Sequence, residues 1–284
     1  MYLTDIKVYD VDSLLTDLRR TRQADTVNNV RVAMSKVLTE SVRHQLVASN
    51  PVKATKKMKR QEFERTGVQR PWSKDEVADV LRALEGSSIG AMVTLLLATG
   101  MRLGEAQALH WEQIDFANQT LSIEWTLSHL SLLQPDGSTI HGVSVRPPKT
   151  PQSRRIIQLE APMFEVLTFH KTHQMNAETA AGTKWKDSGY VFTNQLGGPV
   201  SASNFRRKGV KLLRDSGLRL IRVHDLRHTF ITLLVEESPD LLVPASRAVG
   251  HSSIKITTDR YAKTARIADQ ATKAMSNILF PVEQ

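Results

Sequence analysis

Residues 99–105 read TGMRLGE, and the interpretation of the chain starts from this short segment. Gly100 can end one helix, and the chain can restart almost at once, which would place Arg102 at or near a helix N-terminus. Free backbone N–H groups, the positive helix end and a guanidinium fork would then converge, an arrangement that suits a phosphate. Glu105 lies three residues on, within reach of Arg102 on one helical face. Taken alone, the segment is also explained by a surface salt bridge.

A second motif, VHDLRHTF, spans residues 223–230. His224 and Arg227 are three positions apart, so on a helix both side chains project from the same face. An imidazole beside a guanidinium can hold two non-bridging phosphate oxygens as charge develops in a transition state. A lone His-x-x-Arg pair is more often structural, so this motif also needs a context.

A third group of residues lies towards the C-terminus. His251 follows Gly250, which is typical of a helix stop, and Tyr261 comes ten residues after His251 in a polar, basic stretch that favours an exposed phenol. Upstream, Lys149 stands between two apparent strands, which predicts a position at the tip of a β-hairpin. A tyrosine near a C-terminus is usually half-buried, and exposed hairpin lysines are ordinary.

Composition narrows the class of protein. The 284 residues allow one large domain plus a small one, and no stretch approaches the roughly 20 apolar residues that span a bilayer. The absence of cysteine excludes disulfides, thiolate metal sites and cysteine nucleophiles. A net charge of +9 and a pI near 9.8 favour a polyanionic partner, usually nucleic acid. The sequence contains no Walker-type phosphate loop.

Apolar spacing divides the chain. It predicts two helices between Val11 and Val47, broken near Gln23–Asp25, and the helical pattern ends at Asn50-Pro51. Ser73-Lys74-Asp75-Glu76 has capping-box form, and strand-like segments follow at Thr120–Leu127, Val143–Val145 and Arg155–Leu159. From Ala161 onward the pattern is mostly helical. We therefore expect a small helical domain over residues 1–52, a basic linker over 53–70, a mixed domain over 71–264 and a tail helix over 265–284.

The motifs gain meaning from their order: arginine, lysine, His-x-x-Arg, Gly-His and tyrosine. At these intervals they strongly resemble the tyrosine recombinase family, which includes the phage integrases. Three stretches carry the likeness: TGMRLGEAQALHWEQIDF (99–116), HDLRHTFITLL (224–234) and VGHSSIKITTDRYAK (249–263). The likeness extends from about Trp72 to Lys263. It implies a mainly α fold with a small antiparallel β-sheet (α+β), preceded by a short helical core-binding domain.

The resemblance also implies chemistry. Tyr261 would attack the scissile phosphate, forming a 3′-phosphotyrosyl link and releasing a 5′-hydroxyl; because phenol ionises near pH 10, the attack needs help at neutral pH. Arg102 and Arg227 match two arginines that clamp the non-bridging oxygens. Lys149 matches a lysine that protonates the leaving 5′-oxygen.

Three further residues match supporting positions of the family. His224 matches a residue that assists proton transfer at the nucleophile, and His251 matches one that hydrogen-bonds the phosphate. Glu105 matches an acidic residue that orients an arginine or a histidine. Because the covalent link stores the phosphodiester energy, no ATP, metal or other cofactor is expected. His170 and His173 share a helical face and could ligate a metal, but a solvated helix explains them more simply.

The resemblance implies partners as well. We expect the substrate to be double-stranded DNA carrying attachment sites. The protein is expected to be a monomer free in solution and a homotetramer on DNA, with an accessory DNA-bending protein as an open option. The expected location is the cytoplasm and nucleoid of a prokaryotic host. The apolar stripe of the tail, Ile267 to Leu279, could pack on its own domain or dock in a neighbouring subunit, and we favour the neighbour. Candidates for contact with the DNA backbone are Lys53, Lys56, Lys57, Lys59, Arg60, Arg154, Arg155, Arg206, Arg207, Lys208 and Lys211.

Two features depart from the family pattern. Only about 70 residues precede the mixed domain, which suggests an integrase without an arm-binding domain, or a truncated chain, with a first domain of two or three helices. Ser128–Gly142 looks like an insertion that either reaches DNA or forms a mobile loop. Phage integration is the preferred task; chromosome-dimer resolution or transposon movement would use the same chemistry. A non-catalytic DNA-binding protein is the alternative from another class.

Overall fold

The computed structural model describes residues 2–59, 70–134, 136–148, 153–237, 239–241 and 264–280. The chain forms two compact units, residues 1–69 and residues 70–284. Among the described helices, none is long and apolar enough to cross a membrane. Four of the predicted functional residues lie outside the described residues: Arg60, Lys149, His251 and Tyr261.

The first unit is built on two helices, α1 (Val8–Thr21) and α2 (Ala24–Arg43). The predicted break between them is confirmed, because Arg22 and Gln23 have extended backbones. Their apolar faces enclose a small core in which Val11, Leu15, Val27, Leu38 and Val52 are buried. Val52 belongs to a 3-10 turn, Pro51–Ala54, which is capped by the side chain of Asn50.

The basic segment that follows is fixed to α2. Arg31 donates from Nε and Nη2 to the hydroxyl and carbonyl oxygens of Thr55, both at 3.0 Å. Asn28 pairs through its side chain with the main chain of Met58, at 3.0 and 2.9 Å. The linker predicted over residues 53–70 therefore does not begin at residue 53. Composition indicated only that the lysine side chains are exposed, whereas the backbone between them is bonded to polar side chains of α2.

The second unit is mainly helical around one central helix. Its described helices are α3 (Lys74–Leu84), α4 (Gly90–Thr99), α5 (Leu103–Gln107), α6 (Ala161–Ala181), α7 (Ala202–Asp215), α8 (Val223–Glu237) and α9 (Thr264–Leu279). Every residue of α4 except Ala91 is buried, because α3, α6, α8 and α9 surround it. A helix that is apolar on all sides can only sit in a core.

Two small antiparallel sheets complete the unit. One has the order β1 (Ile114–Asp115), β2 (Thr120–Ile123) and β5 (Arg155–Gln158). The other is a ribbon of β3 (Thr126–Leu133) and β4 (Thr139–Arg146), paired from Thr126 opposite Arg146 to Leu133 opposite Thr139. The predicted fold class, mainly α with small antiparallel sheets, is confirmed.

The ribbon corrects two expectations. The segment from Ser128 to Gly142 is not an irregular loop: it forms most of a regular two-stranded ribbon. The strands on either side of Lys149 do not form a hairpin with each other, because β4 pairs with β3 and β5 pairs with β2. Neighbouring strands in sequence suggested a hairpin, but β4 pairs with β3 in a two-stranded ribbon, while β5 belongs to the other sheet.

The tail helix α9 packs within its own unit. Ala271 and Met275 are fully buried and Leu279 nearly so, in the same core as α4 and α8. Of the two alternatives for the apolar stripe, the described residues therefore favour packing on the same domain.

The start of α3 is held by a capping box and by an ion pair between Glu76 and Arg219. The predicted capping box is confirmed: Ser73 Oγ accepts from the main-chain N–H of Glu76, and Glu76 accepts from that of Ser73 (3.2 and 2.8 Å). Arg219 donates to both carboxylate oxygens of Glu76, at 2.7 and 2.8 Å. Chiefly because of this hydrogen bonding, the pKa of Glu76 is lowered to about 2.

We predict that Glu76→Gln lowers the free energy of unfolding at pH 7 by about 1–2 kcal/mol, since it removes a two-point ion pair. The contribution is present above the unfolded-state pKa of Glu76 and is lost as the pH falls through about 2. The difference between the two proteins should therefore shrink below about pH 4.5. Urea unfolding between pH 3 and pH 7 measures it.

Asp79→Asn on the same helix is the matched control. Its pair with Arg82 is exposed (3.0 Å), so its loss should change the stability by less than about 0.5 kcal/mol at any of these pH values. Equal losses of unfolding free energy in the two variants would contradict the importance of the Glu76–Arg219 ion pair.

Candidate active site

The segment 99–105 makes the predicted stop and restart between helices. Gly100 adopts the left-handed conformation at the end of α4 (φ 60°, ψ 17°), which a glycine adopts without strain. Thr99 Oγ1 accepts from Met101 N (3.3 Å), and Arg102, with an extended backbone, caps α5. The position of Arg102 at a helix N-terminus is thus confirmed.

Gly104 allows α5 to lie directly against the first residues of β3. A Cβ on Gly104 would come within 2.6 Å of the carbonyl oxygen of Leu127 and 2.8 Å of Thr126 Oγ1. Because the Leu127 oxygen belongs to the backbone, it cannot rotate away as a side-chain atom could. The close approach therefore fixes α5, and with it Arg102, against the ribbon.

The side chain of Glu105 is almost completely buried, and both its oxygens are used. Oε2 accepts from the main-chain N–H of Arg102 (2.9 Å) and from Arg155 Nη2 (3.1 Å), while Oε1 accepts from Arg102 Nη1 (2.8 Å). Burial opposes ionisation, but the charge of Arg155 and the hydrogen bonds from Arg102 and Arg155 outweigh it, so the pKa of Glu105 is lowered. The expected contact with Arg102 is confirmed.

Arg227 reaches the same segment from α8. Its side chain is buried, and Nη1 donates to the carbonyl oxygen of Gly100 at 2.9 Å. Burial, together with the positive charges of Arg102 and Arg155, lowers the pKa of Arg227 to about 10. The guanidinium of Arg227 remains charged at neutral pH. Two arginines from distant parts of the sequence, Arg102 and Arg227, therefore meet at the short segment 99–105.

His224 lies one turn before Arg227 on α8 and is exposed. Partial burial of the ring and the nearby charges of His228 and Arg227 lower the pKa of His224, which favours the neutral imidazole at pH 7. The rings of His224 and His228 meet edge to face, with centroids 5.1 Å apart. Asp225 holds the start of this helix through bonds from Arg222 Nε (2.9 Å) and Nη2 (3.0 Å).

The structure therefore brings together Arg102, Glu105 and Arg227, with His224 on the same helix as Arg227. The catalytic roles of these residues stay predictions, as do those of Lys149, His251 and Tyr261, which lie outside the described residues.

Arg155 is the residue whose place the sequence did not reveal. It was expected to contact the DNA backbone, but its side chain is only 12% exposed and points inward to Glu105. Arg154, by contrast, is exposed. Strand alternation between these neighbours was the available signal, because successive residues of a strand face opposite sides.

The other candidates for DNA contact lie at the surface. On α7, the buried side chains of Phe205 and Leu213 fix the helix, and four basic residues of the same helix are exposed: Arg206, Arg207, Lys208 and Lys211. In the first unit, Lys53, Lys56, Lys57 and Lys59 are all exposed. Exposure is compatible with contact to phosphates, and these assignments stay predictions.

His170 is half-buried and bonded to the main chain, so the solvated helix face does not fully describe it. Its Nε2 lies 2.9 Å from the carbonyl oxygen of Val191, which can only accept, so this nitrogen carries the proton. The ring also packs against Phe192 and Trp111.

Residues 72–266 match the sequence model of the phage integrase family. Similar curated proteins include a tyrosine recombinase XerC-like protein of Caldanaerobacter subterraneus, 30% identical over 73% of this chain and 53% of that protein, and an integrase of Streptomyces ambofaciens, 33% identical over 71% and 51%. The chain thus spans about half the length of these relatives.

Solved structures share the fold. The Tn1549 transposon integrase in complex with a circular intermediate DNA superposes with a TM-score of 0.67 at 18% identity, over 94% of this chain and 85% of that one. A lambda integrase dimer bound to a core site gives 0.60 at 19% identity, over 91% and 84%. The fold is that of the integrases. The chain belongs to the phage integrase family.

We predict that Gly104→Ala lowers the free energy of unfolding by about 1–3 kcal/mol, since the added methyl group overlaps the Leu127 carbonyl. Gly142→Ala on β4 is the matched control, because a Cβ there has no atom within 4 Å. Its effect should stay within about 0.5 kcal/mol. Chemical denaturation of both variants measures the difference, and comparable stabilities would show that α5 does not need this close approach.

Proposed function

We propose that this protein is a site-specific DNA recombinase that cleaves and rejoins DNA through a 3′-phosphotyrosyl intermediate on Tyr261. The observation that carries the proposal is the convergence of Arg102 and Arg227 on one short segment, with Glu105 beneath it, in a chain of the phage integrase family. Two fixed guanidinium groups form a site for the two non-bridging oxygens of a phosphodiester.

The chemistry proposed for the site is transesterification. Tyr261 Oη forms a bond to phosphorus as the bond from phosphorus to the 5′-oxygen breaks. The phenol loses its proton to a base, for which His224 in its neutral form is the candidate, and the 5′-oxygen receives a proton from Lys149. The bond count is conserved, so a second 5′-hydroxyl can reverse the step and join a new strand.

The arginines supply the electrostatic part of catalysis. Negative charge gathers on the equatorial oxygens as the fifth bond to phosphorus forms, and fixed positive charges stabilise it without reorganisation. Partial exposure of Arg102 (43% of its side chain) leaves it within reach of an incoming strand, whereas Arg227 is held from behind by Gly100. His251 is proposed as a further hydrogen-bond donor to the phosphate.

The proposed substrate is double-stranded DNA, and the proposed assembly is a tetramer around two duplexes. Basic residues of α7 are candidates for the backbone contact, and the lysines of residues 53–59 offer a second basic surface in the first unit. Release of α9 to a neighbouring subunit would link the protomers, although in the single chain this helix packs within its own unit. Action on chromosomal DNA would place the protein in the bacterial cytoplasm, at the nucleoid.

Integration of a phage genome into a host chromosome is the preferred task. Chromosome-dimer resolution and transposon movement are the second candidates, because the similar proteins include a XerC-like recombinase and a transposon integrase. The tasks differ in their sites: integration joins two different sites, while dimer resolution joins two copies of one site. Plasmids carrying either arrangement, assayed for strand exchange, separate them.

We predict a covalent protein–DNA adduct with wild-type protein and none with Tyr261→Phe, because phenylalanine lacks the nucleophilic oxygen. The substrate is a set of nicked duplexes tiled across the DNA that flanks the gene, incubated without ATP or added metal. Denaturing gels detect the adduct, since the short fragment between the cleavage position and the nick, which carries the new 5′-hydroxyl, diffuses away and leaves the enzyme trapped on the DNA.

Both proteins should bind the same duplex equally well in a gel-shift assay, which is the control for folding. A duplex that binds tightly but never yields an adduct with the wild-type protein would contradict the recombinase proposal and favour a DNA-binding protein without catalysis.

A further inference from the structure

We infer that Arg155 is a positioning residue of the phosphate clamp: it acts on Arg102 through the carboxylate of Glu105. This inference rests on the proposed function, because it concerns how the clamp for the scissile phosphate is held.

The contacts of Arg155 set it apart from the surface arginines. It is the first residue of β5, and its Nη2 lies 3.1 Å from Glu105 Oε2 while its Nη1 donates to Ser153 O at 3.1 Å. Its Nε is buried and has no hydrogen-bond partner among the described residues. A buried guanidinium is costly unless it is well paired, and an apolar side chain would pack here without that cost. A buried arginine with one N–H unsatisfied among the described residues is not explained by packing stability alone.

The geometry of the carboxylate shows how Arg155 reaches Arg102. Oε2 of Glu105 is shared between Arg155 Nη2 and the main-chain N–H of Arg102, and Oε1 receives Arg102 Nη1. Among the described residues, Arg102 alone would bond the carboxylate without Arg155, and both groups could rotate together. Arg155 belongs to β5 rather than to α5, so it anchors the Glu105 carboxylate to a second element of the structure. The direction of the Arg102 guanidinium therefore depends on Arg155.

Charge leads to the same conclusion. Among the described residues, Arg102, Arg155 and Arg227 lie around one carboxylate, that of Glu105, so this cluster has an excess of positive charge for an incoming phosphate. Burial lowers the pKa of Arg155, while Glu105 raises it, and Arg155 in turn contributes to the lowered pKa of Arg227. If Arg155 were neutral, Glu105 would compensate Arg102 more fully and leave less positive charge facing the DNA.

The test compares two scissile groups. One nicked duplex carries the ordinary phosphodiester, and the other carries a methylphosphonate at the cleavage position, where a methyl group replaces one charged oxygen. The neutral group needs the arginine clamp less, since less negative charge develops on it. A defect that acts through Arg102 should therefore appear on the phosphodiester and largely disappear on the methylphosphonate.

We predict that Arg155→Gln slows single-turnover adduct formation on the phosphodiester by about 10- to 100-fold, the range for a residue that orients a first contact. On the methylphosphonate the loss should be less than about 3-fold, while DNA affinity stays within about 3-fold of wild type. Arg155→Lys, which keeps the charge but loses the fork, should fall between. If Arg155→Gln does not fold, Arg155→Lys carries the same comparison of substrates.

Arg219→Gln is the matched control. It removes an arginine from a different ion pair with a carboxylate in the same unit, the two-point pair of Arg219 with Glu76, so it reports the effect of lost stability alone. At a temperature where the variants are folded, its rates on both substrates should stay near wild type.

Each outcome has a distinct meaning. Equal losses on both substrates, or no loss on either, would overturn the positioning role of Arg155. Failure of the wild-type protein to form any adduct on a duplex that it binds would instead overturn the proposed function itself. In the double variant with Glu105→Gln, the Arg155 substitution should add no further loss, because the path to Arg102 is already broken.

Discussion

The rest of the site depends on the ion pairs that the buried carboxylate of Glu105 makes with Arg102 and Arg155. A buried anion must be compensated, and the compensation comes from Arg102 on its own helix and Arg155 on a distant strand. The two parts of the chain are therefore held in one geometry before any ligand arrives. Gly104 lets α5 lie against β3, and Gly100 turns the chain so that its carbonyl oxygen accepts from Arg227. The proposed phosphate clamp is thus held in place before DNA binds, as electrostatic catalysis would require.

The fold serves this small region through its core. Helix α4 is buried by α3, α6, α8 and α9, so its last residue, Thr99, cannot shift without disturbing the core. Helix α8 packs on α4 and carries both His224 and Arg227. Positions in an active site are more exact when they rest on rigid helices and strands than when they rest on loops. A basic surface on α7 lies in the same unit and is suited to phosphate contact.

Local signals in the sequence predicted much of this arrangement. Helical spacing and the capping residue Ser73 predicted α1, α2 and α3, and Gly100 predicted the stop before Arg102. What could not be predicted depends on long-range pairing. The register that joins β3 to β4 follows from contacts with residues far away in sequence. Strand alternation could indicate that Arg155 faces inward, but not that its partner is Glu105, 50 residues earlier. Lysine-rich composition likewise hid the bonds by which α2 holds Thr55 and Met58.

The most direct measurement is a crystal structure of the Tyr261→Phe variant bound to a cleavage-site duplex. We expect the non-bridging oxygens of one phosphate to lie about 2.7–3.1 Å from the guanidinium groups of Arg102 and Arg227. The bonds from Arg102 and Arg155 to Glu105 should be unchanged by DNA. A phosphate held elsewhere, or a Glu105 carboxylate that exchanges partners when DNA binds, would contradict a preorganised clamp.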